Sequence, residues 1–436
     1  MARMLRSPKA WGPLFAVAVL AFFYFLVNFG AAKSPDENIH DLPAALVNLD
    51  MGAEIDGQLV NLGDRVVEST SSNDRIGEAI KWTRLSSRGE ALEGIANGEY
   101  YGAIVVPEDY SQTIAALSTL SAGSSAEPAR IEILTNPSAG PFSSAAVQRI
   151  LAGVVRRASE VTSDQITGTL EASGTQVPPA TAAVLGEPVV AEITDAQPVG
   201  ENSGRGLMPF YLMFTASILG FIGANAIHGG LTALAEALAT RAGSRGPSRV
   251  QFFLAATVLG LALALLLGAT EALVAFGIYG VHHEANAFYV LLFLALVAVV
   301  PLLLALVLLV ALGPRAGILS GSLLIISLGL ATSGGTTPLQ SLPNFFRSLA
   351  GVLPFERMTE GTRALIFYGG RLEAGLGSAL WMLAAYLIGA LLLGGAISLV
   401  RDAVARGRDA VWKSSSRDEA AAAEGTARKG GFGRVQ

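Results

Sequence analysis

Apolar positions follow two different patterns along this chain. Six runs are almost free of charge: 11–31, 207–227, 250–280, 288–312, 316–331 and 375–400. A helix needs about 20 consecutive apolar residues to cross a bilayer. Each run therefore predicts a membrane helix, the fifth a short one and the third long enough to tilt or protrude. Between the first two runs, residues 33–206 are mixed in character and predict one large soluble domain.

That domain reads as α/β. "AALVNLD" (44–50) and "YYGAIVVP" (100–107) are short β-rich runs bounded by turn residues, and "RIEILTN" (130–136) alternates with period two. "SSRGEALEGIANG" (86–98) predicts a helix with Ser87 and Glu90 placed as a capping box and Gly98 as its stop. Pro107 with the acids after it opens another helix. From 141 to about 173 the pattern is helical throughout: Val147, Ile150, Leu151, Val154, Val155 and Ala158 share one face. Pro178, Pro179, Pro188 and Pro198 then break the pattern. The predicted fold class is an α-helical integral membrane protein of six transmembrane helices, with an α/β extracytoplasmic domain between helices 1 and 2.

Charge orients the chain. Arg3, Arg6 and Lys9, then Arg241, Arg245 and Arg249, then Arg315, then Arg401, Arg406, Arg408 and Lys413 all fall on one side if six spans alternate. The positive-inside rule makes that side cytoplasmic. The predicted layout is a cytoplasmic start with helix 1 at 1–32, an external domain at 33–206, a five-helix membrane domain at 207–400 and a cytoplasmic tail at 401–436. That tail is low in complexity after Lys413 and is expected to be disordered. "FGAAKS" places Gly30 and Ala32 as a small-x-small cleavage signal, but the run before it exceeds a usual signal-peptide core, so an uncleaved anchor is expected. Residues 33–206 carry 24 acidic and 11 basic side chains, which argues against nucleic acid as a partner.

Catalytic patterns are missing. With no cysteine, disulfides and thiolate chemistry are excluded. There is no G-x-x-x-x-G-K-[ST] loop, G-x-S-x-G elbow or H-E-x-x-H helix, so neither an enzyme nor a cofactor is implied. His282, His283 and Glu284 cluster without a visible third metal ligand and read as a polar turn. Glu271 is the one carboxylate inside an apolar run; such acids are costly and often functional, although its place near the span's end also suits snorkelling.

Residues 333–374 are too charged to span and too apolar for an ordinary loop. Phe345, Phe346, Leu349, Val352 and Leu353 form one stripe, with Asn344, Arg347 and Ser348 opposite. After Pro354, Phe355, Met358, Leu365 and Ile366 face one way, and Glu356, Arg357, Glu360 and Arg363 the other, with i,i+3 pairs at Arg357–Glu360 and Glu360–Arg363. Two amphipathic helices broken at a proline suit an interfacial or re-entrant position.

Three stretches resemble one family. "ALVNLDMGAEIDGQLVNLGDRVVE" is similar to its "VVNxDxG" opening at Val47, Asn48, Asp50 and Gly52. "WTRLSSRGEALEGIANGEYYGAIVVPEDYS" matches a second block at Ala91, Gly98, Tyr100, Tyr101, Pro107, Tyr110 and Ser111. "LPNFFRSLAGVLPFERMTEGTRALIFYGG" matches a third at Pro343, Pro354, Arg363, Gly369 and Gly370. With the layout of one span, a domain and five spans, the chain resembles the ABC-2-type transporter permease superfamily and, within it, the YhgE/Pip-like membrane proteins. Its soluble domain is shorter than in many YhgE/Pip-like members. The resemblance implies an export permease of a bacterial plasma membrane, a homodimer or a heterodimer with a second permease, energised by a separate nucleotide-binding ATPase. It also implies that the 333–374 link carries external helices dipping into the outer leaflet. Glu271, Phe345, Phe346, Leu349, Pro354, Glu360 and Arg363 are then candidates for the path or gate. Glu236, Ala237, Arg241, Arg245 and Arg249 are candidates for ATPase docking, with simple positive-inside anchoring as the other reading. An apolar path suggests hydrophobic or amphipathic cargo. A second function stays open: a non-transporting envelope scaffold, a secretion accessory or a phage-receptor-like surface protein, roles to which some YhgE/Pip-like proteins are linked.

The topology is directly testable because no native cysteine interferes. A cysteine at Ser124 is expected to react with an impermeant maleimide in intact cells, and one at Ser414 is not. Labelling at Ser414 overturns the cytoplasmic placement of the C-terminus.

Overall fold

The computed structural model describes the backbone of residues 8–430 except 34, 36, 56, 72–73, 119–126, 174–178 and 243–246. Side chains are described for the same residues except 8–14, 71, 74–76, 172–173, 179–180, 241–242 and 408–430. Helix α1 (Pro8–Ala31) leads into an α/β domain. Its elements run β1 (Leu42–Asn48), β2 (Ala53–Ile55), β3 (Gln58–Val60), α2 (Leu62–Ser71), α3 (Asp74–Ala79), β4 (Ile80–Leu85), α4 (Arg88–Ala96) and β5 (Gly102–Val106). They continue with α5 (Tyr110–Ser118), β6 (Ala129–Thr135), α6 (Pro141–Ser173), α7 (Pro179–Gly186) and β7 (Val189–Asp195).

The main sheet has the order β4-β1-β5-β6-β7, parallel except for the β5–β6 pair. Strands β1 and β5 are apolar nearly end to end because helices cover both faces. On one face Leu46, Ile104 and Ile131 meet Val66, Tyr110 and Leu151 of α2, α5 and α6. On the other, Val47, Ala103 and Val105 meet Ala91 and Ile95 of α4. Helix α4 starts at Ser87, whose Oγ accepts from Glu90 N at 3.2 Å. The reciprocal half of the predicted capping box is displaced by one residue: Glu90 accepts from Ser86 N and Oγ. Strands β4 and β7 were not predicted. Both are edge strands with half-exposed side chains, so neither carries a periodic signal.

The VNLDMG stretch pins this domain. Buried Asp50 accepts from Gly52 N and Ser111 N at Oδ1, and from Gly63 N and the Ser111 hydroxyl at Oδ2. One carboxylate therefore ties the end of β1 to the starts of α2 and α5, where free N–H groups and helix dipoles favour a negative charge. A Cβ on Gly63 would lie 2.7 Å from the Asp50 Cβ, so glycine is required there.

The bundle follows: α8 (Met208–Ala242), α9 (Arg249–Ile278), α10 (Ala287–Leu312), α11 (Pro314–Thr332), the short α12 (Asn344–Ala350) and α13 (Phe355–Phe367), and α14 (Gly377–Gly430). Helix α10, apolar on all sides, is the buried centre on which α8, α9 and α14 pack. At Gly268 a Cβ would stand 2.7 Å from Ala295 N, so α9 approaches α10 backbone to backbone as small residues allow in membranes. Among the described residues five helices are long and apolar enough to cross a membrane; α1 contributes a shorter apolar stretch, Phe15–Ala31. Five of the six predicted spans are thus helices of this kind; α1 is 24 residues long, with side chains described only from Phe15 on. One other bound differs from expectation: α14 runs unbroken past Lys413, where a disordered tail was expected, while α8 extends to Ala242.

Asp50→Ala is expected to destabilise the α/β domain by about 3 kcal/mol or more, because three backbone N–H groups and a hydroxyl lose their acceptor together. Limited proteolysis of the full chain reads this as early cleavage within 33–206. Unchanged resistance contradicts the pinning role.

Candidate functional site

Between α11 and α14 the chain enters the bundle from the domain end and turns back. Pro343 precedes α12, Gly351 ends it, and Pro354 starts α13, so the turn cannot continue either helix. Phe355, Met358, Leu365 and Ile366 are buried in the same core as α8 and α10. The turn is deep: Tyr386 OH donates to Val352 O at 2.7 Å, and Ser217 Oγ lies 4.0 Å from Met358 Sδ. Each partner is nine residues into its helix from the domain end, roughly 13 Å at 1.5 Å per residue. On α12, Phe346 packs with Leu342 against Ala31 and Val27 of α1.

The opposite face of α13 is charged and looks into a chamber of about 220 Å3 beneath the α/β domain. Arg357, Glu360, Arg363 and Tyr368 line it from below, and Gly98 and Tyr101 from above. Arg357 pairs with Glu360; no Glu360–Arg363 ion pair occurs among the described residues, and Arg363 Nε is buried without an acceptor. Burial pushes the Glu356 carboxyl up to about 7, and the Glu360 charge adds to the rise against Arg357 and Arg363. Burial likewise drives the Tyr368 phenol up to about 12. That phenol donates to Asn136 Oδ1 at 3.3 Å, while Asn136 Nδ2 donates to Ile95 O and Tyr100 O at 3.3 and 3.1 Å. Gln197 Nε2 donates to Phe367 O at 2.8 Å, Arg371 to Asn97 Oδ1 at 3.0 Å, and His40 N to Gln340 O at 3.1 Å. Four separate segments of the α/β domain are therefore hydrogen-bonded to the hairpin link.

The sequence model described as "ABC-2 family transporter protein" matches residues 11–399. The chain belongs to the ABC-2 transporter family. The protein YhgE of Bacillus subtilis (strain 168) is 27% identical over 109 residues, which is 25% of this chain and 14% of that protein. This chain thus matches only a small part of that relative's length. A crystallised domain assigned to an ABC type-2 transporter of Thermotoga maritima MSB8 is similar at 18% identity, over 39% of this chain and 97% of that one, with a TM-score of 0.23, too low to carry an argument. ABC-2 permeases are membrane proteins that work with an ATPase subunit, and the family is not one of enzymes.

Within this ABC-2 chain the predicted site residues separate into three places. Phe345, Phe346, Leu349, Pro354, Glu360 and Arg363 share the hairpin. The predicted stripe on α12 is only partly right: Phe346 is 9% exposed but Phe345 is 70% exposed, because the core reaches α12 from one side alone. Arg347, predicted to face water, is half-buried and donates to Gln340 O and Leu342 O, holding the loop before its own helix. Glu271 lies apart, between α8 and α9. At the far end of the bundle Glu236 and Arg249 line a cleft of about 720 Å3 with His228, Arg401, Asp402 and Arg406. Asp402 accepts from Arg249 N and Val250 N and so closes the start of α9. Ala237 is exposed on α8; the Arg241 side chain and Arg245 lie outside the described residues. Asn136, Tyr368 and Asp402 were not among the predicted residues. Nothing in their local sequence marks them, since each acts through a partner distant in the chain.

Two measurements follow. Arg347→Ala is expected to lower the full chain's thermal stability, by about 1 to 3 kcal/mol, by orphaning two carbonyls; an unshifted melting temperature contradicts this. For Glu356, a folded-state pKa of about 7 against the ordinary 4.5 means that the folded chain holds the proton more tightly. Stability therefore falls as pH rises from about 4.5 to about 7 and stays lower above. Allowing for partial exposure, Glu356→Gln is expected to add about 1 to 2 kcal/mol at pH 8 and little at pH 5. Equal effects at both pH values contradict the assignment.

Proposed function

We propose that this chain is the permease subunit of a bacterial export system that moves a hydrophobic or amphipathic cargo, as a homodimer or with a second permease, energised by a separate ATPase. In this reading the α/β domain lies outside the plasma membrane, and both termini and the 720 Å3 cleft lie in the cytoplasm. The arginines around that cleft support the orientation. The observation that carries the reading is the hairpin, which belongs to the bundle core on one face and is bonded to the α/β domain on the other.

Helix α8 supplies the connection. It is continuous from the cleft residues His228 and Glu236 to Ser217 and Met213, beside Met358 of the hairpin. A rod of this kind transmits a push at the cytoplasmic end to the outer gate, because a packed helix moves as a unit. The hairpin then acts as a re-entrant outer gate, tolerated in hydrocarbon because protein surrounds it. Phe345 is its most exposed apolar residue and the best placed to meet cargo.

In native membranes, crosslinking from a cysteine at Ala237 is expected to capture a nucleotide-binding ATPase. Capture of none favours the envelope-scaffold reading instead. In everted vesicles containing both proteins, Phe345→Asp is expected to reduce ATP-driven uptake of lipophilic probes at least severalfold with normal membrane levels, since an exposed acid at the hydrocarbon edge costs at most about 1 to 3 kcal/mol. Phe346→Asp, which disturbs packing on α1, is expected to reduce the amount of protein as well. Undiminished uptake by the Phe345 variant leaves the hairpin a mere lid.

A further inference from the structure

Among the described residues of the bundle, one buried carboxylate has an oxygen without a partner. Glu271 lies near the domain end of α9, and its Oε2 is buried with no hydrogen-bond partner. It opens onto a cavity of about 440 Å3 between α8 and α9, which is apolar apart from this carboxylate, two threonines and two tyrosine hydroxyls. No Lys, Arg or His lines the cavity, and Glu271 has no ion pair among the described residues. An isolated carboxylate in such surroundings is costly unless something charged or donating meets it.

The rest of the cavity indicates what would meet it. Leu219, Leu267 and Val274 supply an apolar wall, and Tyr211 and Tyr279, both more than half exposed, stand at the same cavity. Aromatic faces together with one carboxylate form the arrangement that holds an organic cation: ring faces attract the positive charge, and the acid neutralises it in a low dielectric. The volume falls in the range of organic-ligand pockets, about 300 to 1,000 Å3. Leu219, Leu273 and Ile278 are exposed on the surrounding helix surfaces, which gives the cavity an apolar approach. An inorganic cation would find one carboxylate and no cage of oxygens.

We infer that the α8–α9 cavity binds a hydrophobic organic cation, with Glu271 as its counter-charge and Tyr211 and Tyr279 as its aromatic walls. The inference rests on the permease reading only for the purpose of the ligand; binding needs neither ATPase nor transport, so the two fail separately. A cation entering here is selected by sign as well as by greasiness, and an anion of equal shape is refused because it would face an uncompensated carboxylate.

The full chain in phosphatidylcholine nanodiscs tests this by equilibrium binding of labelled tetraphenylphosphonium. Tetraphenylborate, the same four-ring shell with the opposite charge, is measured separately. Saturable binding of the cation to the wild type is expected, with at least tenfold weaker binding to Glu271→Gln and partial recovery in Glu271→Asp. Thr215→Trp, which fills the cavity and leaves the acid in place, is expected to weaken binding as strongly, and it decides the matter if Glu271→Gln does not fold. Absence of saturable binding by the wild type overturns the inference. Equal cation affinity in Glu271→Gln or in Thr215→Trp, or saturable borate binding of similar strength, overturns it equally.

Discussion

The structure depends on where one amphipathic helix can be placed. Helix α13 has an apolar face that is wholly buried and a polar face with Glu356, Arg357, Glu360 and Arg363 within two turns. In hydrocarbon the charges would be intolerable, and in water the phenylalanine and leucine side chains would be exposed. Only the junction of an apolar bundle with a polar domain satisfies both faces. Much of the architecture supplies that junction: α8, α10 and α14 form the apolar side, and the underside of the α/β domain provides Tyr101, Gly98 and Asn136.

The α/β domain is tied down at its own turns as well as at this junction. Asp50 holds the sheet end and two helix starts with one side chain, and Asn136 gathers the backbone carbonyls of Ile95 and Tyr100 while accepting from Tyr368. These are buried bonds in a region of low dielectric, where an unmade bond is expensive and the bonded arrangement is correspondingly unique. All three sequence blocks that mark the family thus reach the pin or the joint, the first through Asp50, the second through Ser111, Ile95 and Tyr100, and the third through Tyr368.

The bundle itself spends polarity sparingly. Asn28 donates to Ser327 Oγ at 2.8 Å, joining α1 to α11, and Ser217, Thr257 and Thr332 return their hydroxyls to their own helices. Against that background, Glu271 stands out as the buried carboxylate, among the described residues, with an oxygen that has no partner. Its isolation contrasts with the crowded charges at the hairpin, where Arg357 pairs with Glu360.

Local pattern alone determined much of this protein. The five long membrane helices, α6 from Pro141 to Ser173, the strands β1, β5 and β6, and the broken amphipathic hairpin were all legible, because periodicity and punctuation are properties of neighbouring residues. The motif residues Asp50 and Tyr101 could be noticed but not given a task. Only the tertiary structure decided the pairing of edge strands β4 and β7, the burial of Arg347, the cleft that joins Glu236 to Arg401 and Asp402, and the 232-residue reach from Asn136 to Tyr368. Each of these depends on which distant segment arrives beside a residue. A sequence records a side chain's capacity to bond, but the partner, and with it the burial that makes the bond matter, comes only when the chain has closed on itself.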